Sequence, residues 1–491
     1  MATEIEFKLA LSPAAARALP RHPLLAGQHP ASQRLLNTYY DTPRLDLRRR
    51  KVALRFRNKG WDWLLTVKSA EPASGGLARR SEWEAPAAPG RWDFSHVGDA
   101  GLRRDLEAAT PQLEAVFTTD FRRTAWELAF GESRIELALD RGTIESKGRK
   151  SPICEVELEL LAGQVADLFA LAGELQATLP LRPSIASKAE RGYALFRDQT
   201  PRPFKARPLV LPDDIAPRAA FRQIALACLE QLQRNEAGIL HDPDPEYVHQ
   251  ARVALRRLRS AINVFAPVLP PAFTTTWSAA WKNLAGAFGD TRNWDVFTGE
   301  TLPPIAAAFP TDRSTRRLFA TGRRKAGEAR RTLARVLLGD DYPRQVTQFT
   351  AALFALDDTA TLPLRTFALQ RLSRRARQAR RLARRPTGLT DDSARHALRI
   401  SLKKLRYPLE FFAPLLPPHR FKPYLAALTH LQDELGRIND HVTAIELVAM
   451  LPGDFRNTPI LGWLQGRHAL LVMELPESLG AWLAQRLPGK L

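Results

Sequence analysis

At 491 residues the chain is too long for one ordinary hydrophobic core, so two or three domains are expected. A formal net charge of +20 and a pI near 10.4 call for an anionic partner, whether nucleic acid, membrane surface or a polyphosphate-like polyanion. No apolar run reaches the roughly 18 residues of a spanning helix. The start "MATEIEFKLALSP" lacks the basic and apolar pattern of a signal peptide, and Cys154 and Cys228 are too few for a disulfide framework or thiolate metal site; a cytosolic protein is expected.

Over residues 1–200, "TEIEFKLAL", "VALRFRNK", "WLLTVKSA", "RSEWEAP", "RTAWELAF", "RIELALDRG" and "ICEVELELLAG" each alternate with period 2. They predict an antiparallel β domain with helices near Ser12–Leu19 and Gln164–Ala177. Residues 201–216 read as a linker, because Pro201, Pro203, Pro208 and Pro212 defeat both helix and sheet. From residue 217 to 491 the period becomes 3.6, as in "AFRQIALACLEQLQ", and an all-helical domain is expected. "HQARVALRRLRSAINVFAPVLPP" (His249 to Pro271) aligns without a gap on "HALRISLKKLRYPLEFFAPLLPP" (His396 to Pro418), and "GDTRNWD" on "GRINDHV". The helical part is therefore a duplicated unit, about 217–365 and 366–491, and two copies predict a pseudo-twofold bundle rather than a solenoid. The fold class is multidomain α+β.

Sorting the strands by face brings out the chemistry. Glu4, Glu6 and Lys8 share one face; so do Arg55 and Arg57, Thr66 and Lys68, Arg80, Glu82 and Glu84, Arg134, Glu136 and Asp140, and Glu155, Glu157 and Glu159. The other faces are apolar. A solvated sheet face is the plain alternative, but such faces mix in Ser, Thr, Gln and Asn, and these do not. The pattern predicts a barrel turned inside out, with apolar faces under helices and charges lining a tunnel. Unpaired buried ions cost several kcal/mol each. A ligand with several phosphates, held by the basic residues and bridged by Mg²⁺ to the glutamates, would compensate them.

These segments resemble the CYTH family of triphosphate tunnel metalloenzymes. "EIEFK" is similar to its ExExK signature, and "NTYYDTP", "ALRFR", "LTVK", "RSEWE", "TTDFRR", "IELALDRG", "ICEVELEL" and "SKAERGY" follow in order. The resemblance implies an eight-stranded antiparallel tunnel that acts on triphosphates with Mg²⁺ or Mn²⁺. It implies a catalytic set of Glu4, Glu6, Lys8, Arg55, Arg57 and Lys68. Arg80, Arg123, Lys188 and Arg191 join Lys8, Arg55, Arg57 and Lys68 as phosphate binders. Asp140, Glu155, Glu157 and Glu159 join Glu4 and Glu6 on the metal side, with Glu155 and Glu157 expected at the metal and Glu159 nearer the rim.

In the helical half, His249, Arg252, Arg256 and Arg259 fall at i, i+3, i+7 and i+10, one stripe of a helix, and His396, Arg399, Lys403 and Arg406 repeat it. Two such ridges facing one groove would hold a long polyanion. The run Arg371 to Arg385 is equally a solvated face. Nucleic acid is the rival ligand, but no binding motif is present and few aromatics interleave with the stripe. This half resembles the CHAD family, which implies two pseudo-symmetric bundles that bind inorganic polyphosphate and bring proteins to polyphosphate granules. Asp290, Asn293, Asp295, Asn439 and Asp440 are expected to cap helices or orient the ridge.

The expected function is an inorganic triphosphatase with a polyphosphate-binding module. The alternatives are a non-catalytic polyphosphate-binding or granule-targeting protein, and an enzyme acting on an organic triphosphate, either a thiamine triphosphatase or a class IV adenylate cyclase.

Overall fold

The computed structural model describes residues 3–70, 77–198, 200–212, 214–358, 362–385, 391–451, 455 and 459–488. Two compact units emerge: residues 1–202 with 338–355, and residues 203–337 with 356–491.

In the first unit the strands are β1 (Thr3–Ala10), β2 (Ala31–Asp41), β3 (Val52–Lys59), β4 (Asp62–Ala70), β5 (Leu77–Pro86), β6 (Glu114–Phe130), β7 (Ser133–Ser146), β8 (Arg149–Ala162) and β9 (Arg182–Pro183). Their order is β5-β4-β3-β2-β6-β7-β8-β1-β9, and β5 also pairs with β1, from Thr3↔Ser81 to Phe7↔Leu77. That pairing closes β1–β8 into a ring, which removes the free sheet edges. The sheet has nine strands, one more than expected, because two residues of β9 extend the β1 edge beyond β5.

The apolar faces lie outside the ring, as the alternation requires. Phe7, Leu9, Val156 and Leu158 pack under helix α4 (Val165–Thr178), whose buried Leu168, Leu171, Ala172 and Leu175 recur at helical spacing. Leu54, Phe56, Leu65 and Val67 form a second outer cluster with Phe94, Val97 and Leu106. One end of the lumen is apolar instead: Leu35, Tyr39, Phe117, Phe121, Ile144 and Ile153 pack with Tyr193 of helix α5 (Lys188–Arg197), which fills that end. Gly192 permits this approach, since a Cβ there would meet the Phe117 ring at 2.2 Å. Ser187 and Glu190 form a capping box at the start of α5, aiming its first turn into the lumen. Helix α11 (Asp341–Phe354), distant in sequence, completes this unit. Phe354 stacks on Phe169 of α4 at 5.9 Å, and Arg344 donates to the Gln176 carbonyl at 2.8 Å.

The second unit is helical, and its duplication is visible in the element starts. Helices α6 (Pro217–His241), α7 (Pro245–Phe265) and α8 (Pro271–Val296) each have a counterpart 147 residues on, α12 (Leu364–Ala383), α13 (Asp392–Phe411) and α14 (Pro418–Met450). Helix α10 (Arg313–Leu338) corresponds to α15 (Pro459–Ala484) at an offset of 146. The unit of duplication is four helices. The copies differ after α8, where a π-helical turn, Phe297–Thr301, leads into the short α9 (Leu302–Ala308), whereas α14 continues as α-helix over the corresponding residues. No helix among the described residues is long and apolar enough to cross a membrane.

Candidate functional site

Register decides which charges meet in the lumen. Glu6 on β1 is the cross-strand partner of Glu159 on β8, and Glu159 is also the partner of Glu136 on β7, so three glutamates form one row. In the next row Lys8 faces Glu157, and in the one after it Asp140 lies between Glu155 and Arg123. Such neighbours sit about 5 Å apart between Cβ atoms, close enough for acid and base to attract and for two acids to repel.

The rows nearest α5 are charge-balanced. Lys188 Nζ lies 2.7 Å from Asp140, 2.5 Å from Glu155 and 2.9 Å from Glu157, and Lys8 Nζ lies 3.1 Å from Glu157 and 3.6 Å from Glu6. Arg123 holds Asp140 with two hydrogen bonds, 2.8 and 2.7 Å, and also donates to Glu157, while Arg191 donates to Glu155 at 3.3 Å. Burial alone would push the Glu157 carboxyl up and the Lys188 ammonium down. Their partners outweigh it, so Glu157 is held well below the usual carboxylate range and Lys188 well above that of lysine. On the opposite wall Lys68 lies 2.8 Å from both Glu4 and Glu82. Arg55 lies 3.5 Å from Glu82 and donates to the Tyr39 hydroxyl at 3.0 Å; Arg57 lies 3.5 Å from Glu84 and donates to the Asn37 side-chain Oδ1 at 3.0 Å.

The glutamate row is not balanced. Burial, and then Glu4 and Glu136, push the Glu159 carboxyl up to about 7, against a pull from Lys68 that outweighs the small further push from Glu6. A hard divalent cation takes carboxylate oxygens, and the lumen holds two groups of acids. Asp140, Glu155 and Glu157 offer oxygens within 4.8 Å of one another, but the Lys188 ammonium already sits among them. Glu4, Glu6 and Glu136 each have a cation nearby, Lys68 at 2.8 Å, Lys8 at 3.6 Å and Arg123 at 3.7 Å, and all three acids act on Glu159.

The structure thus brings Glu4, Glu6, Lys8, Arg55, Arg57, Lys68, Arg123, Asp140, Glu155, Glu157, Glu159, Lys188 and Arg191 to one lumen. The Arg80 side chain lies outside the described residues. Arg134 shares the face of Glu136 but lies at the exposed end of its strand, where it pairs with Glu127, the cross-strand partner of Glu136. Periodicity overlooked Asn37 and Tyr39, because β2 carries no alternating charge to mark it; only "NTYYDTP" pointed there.

In the helical unit the central members of the two stripes meet. Lys403 of α13 is pushed down to about 6 by burial and then by Arg256, Arg399 and Arg252, and Arg252 of α7 down to about 10 by burial and then by Arg256, with Arg292 and Arg399 adding to it. Among the described residues none of Arg252, Arg256, Arg399 and Lys403 forms an ion pair, and Arg399 Nε is buried without a hydrogen-bond partner. The ends of the stripes behave differently. Arg406 pairs with Glu410 at 2.8 Å, His396 is exposed, and burial lowers both His249 and Arg259. Asn293, Asp295, Asn439 and Asp440 lie inside α8 and α14 and cap neither helix start; Asp295 instead accepts from Arg330 at 3.2 Å. In α12, Arg374, Arg377 and Arg381 are exposed, while Arg375 donates to Asn263.

A closed antiparallel ring with its charges inside and a duplicated helical unit in the same chain define a two-module α+β protein. Residues 2–193 match the CYTH domain and residues 223–449 the CHAD domain, so the chain is a CYTH–CHAD protein. An inorganic triphosphatase from Haemophilus influenzae is 36% identical over 201 residues, 40% of this chain and 56% of that relative, so the match spans little more than half of its length. The crystal structure of the CHAD domain from Ricinus communis is 32% identical, covers 58% of this chain and 98% of that one, and superposes with a TM-score of 0.51. A putative adenylyl cyclase from Hippeastrum, described as having a dominant triphosphatase activity, is 22% identical, covers 40% of this chain and 95% of its own, with a TM-score of 0.31.

Proposed function

We propose that the N-terminal domain is a metal-dependent inorganic triphosphatase, hydrolysing triphosphate to pyrophosphate and phosphate, and that the helical domain binds inorganic polyphosphate, as at polyphosphate granules. The observation that carries the enzyme reading is the lumen, where buried cations stand beside a row of glutamates that repel one another. The resemblance to an inorganic triphosphatase supports the same reading.

Arg55, Arg57 and Lys68 on one wall, and Lys8, Arg123, Lys188 and Arg191 on the other, would grip the phosphate oxygens and stabilise charge on the transferring phosphoryl group. Glu4, Glu6 and Glu159, with Glu136 alongside, would hold the cation, because a divalent ion there relieves the repulsion on Glu159 and competes with Lys68 at Glu4 and Lys8 at Glu6, whereas at Asp140, Glu155 and Glu157 it must displace Lys188 from all three. Mg²⁺ or Mn²⁺ held there would neutralise phosphate charge and activate the attacking water. Water attacks the terminal phosphorus and the bridging P–O bond breaks, releasing pyrophosphate. For the ridge, the supporting observation is the cluster of Arg252, Arg256, Arg399 and Lys403, whose mutual repulsion a polyanion would remove.

The test is a panel of triphosphate, longer polyphosphate, ATP and thiamine triphosphate, with Mg²⁺, with Mn²⁺ and in EDTA. Phosphate release from triphosphate that needs metal and vanishes in Glu4→Gln/Glu6→Gln, with polyphosphate binding intact, is the expected result. Preferred cleavage of ATP or thiamine triphosphate overturns the substrate assignment.

A further inference from the structure

Where the two copies of the helical unit diverge, a hollow of about 770 Å³ opens. The π-helical turn Phe297–Thr301 forms part of its wall, through Glu300 and Thr301, at the point where the second copy keeps a regular helix. π-turns of this kind widen a helix locally and recur at functional sites. The hollow also departs from pseudo-symmetry in its side chains: Arg437 and His441 of α14 line it, where the first copy has Asp290 and Trp294.

Its lining has two characters. Val296, Pro304, Leu470 and the indole of Trp463 make it apolar, and the His441 imidazole lies nearly parallel to that indole, at 20° with 6.2 Å between centroids. Arg437 and Arg467 add positive charge. Two acids join it to the basic ridge. Glu300 accepts from Arg292 at 2.8 Å, and Asp440, which lines the hollow, lies in the field of Arg399, Lys403 and Arg292. A planar apolar platform with arginines therefore stands at one end of a phosphate-binding surface. A simple inorganic chain, having no apolar part, has no use for such a platform.

We propose that this hollow binds the base and sugar of a nucleoside polyphosphate, with the heterocycle on Trp463 and the phosphates passing Arg437 and Arg467 toward Arg399 and Arg252. Stacking on an aromatic ring with flanking arginines is the usual way to hold a base without reading its edge. The ligand class is thus set by a planar ring joined to several phosphates, with little preference among bases. The assignment rests on the ridge being an anion-binding surface.

The experiment is calorimetric titration of the full-length protein, in EDTA so that the lumen turns nothing over, with ATP, inorganic triphosphate and long-chain polyphosphate. ATP is expected to bind at least about tenfold more tightly than triphosphate. Trp463→Ala should remove that excess and leave polyphosphate binding unchanged. Gly466→Leu is the second variant: Gly466 lines the hollow, and a Cβ there meets nothing within 4 Å, so the substitution fills the space without disturbing packing. Equal affinity for ATP and triphosphate in the wild type overturns the proposal, as does an excess that survives both variants, which would place the nucleotide in the lumen. Failure of the ridge itself looks different: polyphosphate binding would then be absent, or unchanged in Arg252→Ala/Arg399→Ala.

Discussion

Glu159 and Glu6 stand directly opposite each other across the β8–β1 ladder, like charge facing like charge, with Glu136 on the far side of Glu159. A cross-strand pair of this kind is destabilising unless something lies between the carboxylates. Without a cation the relief is a proton: burial first, then Glu4 and Glu136, and least of all Glu6, push the Glu159 carboxyl up to about 7.

Stability of the metal-free protein should therefore depend on pH through Glu159. Its folded value exceeds the unfolded one, so the native state binds the extra proton and stability falls as pH rises from about 4.5 to 7. Glu159→Gln should stabilise the protein at pH 8 by roughly 1–2 kcal/mol, allowing for partial exposure, and by little at pH 5. Thermal melts in EDTA at both values check this.

Metal affinity should rise with pH through the same range, because Glu159 must release its proton to bind a cation. Glu159→Gln should flatten that dependence and weaken binding more than Glu155→Gln does, since Glu155 is already paired with Lys188. Mn²⁺ titration at pH 6 and 8 reads both effects; a larger loss in Glu155→Gln would move the cation to the group around Asp140.

Polyphosphate binding should take up a proton. Lys403 is lowered to about 6 by burial and by Arg256, Arg399 and Arg252, so it is largely neutral at pH 7.5 until an anion raises it. Affinity should weaken as pH rises above about 6 and level off below it. Calorimetry in buffers of different ionisation enthalpy would detect the proton, and Lys403→Arg should abolish the uptake.

Helix α11 should be needed by the N-terminal domain although its sequence lies far from it. A fragment ending at residue 202 lacks the helix whose Phe354 stacks on Phe169 and whose Leu353 is buried. That fragment should melt lower than one supplied with a peptide of residues 338–355. In the intact chain Leu353→Ala should cost about 2–4 kcal/mol.

Much of this arrangement was legible in the residues. Alternation is a local property with period 2, so it placed Glu4, Glu6, Lys8, Arg55, Arg57, Lys68, Glu155, Glu157 and Glu159 on one face of their strands without knowledge of their neighbours. The gap-free repeat likewise announced a duplicated helical unit, and the starts of its four paired helices follow the same spacing to within a residue. Register, by contrast, belongs to pairs of strands. Only the folded ring decided that Lys188 would enter the group of Asp140, Glu155 and Glu157, that Glu159 would be left among other acids, and that Arg134 would lie exposed at its strand end, paired with Glu127. Only tertiary packing returned residues 341–354 to the N-terminal domain and opened a hollow at the π-turn, because both depend on surfaces brought together from distant parts of the chain.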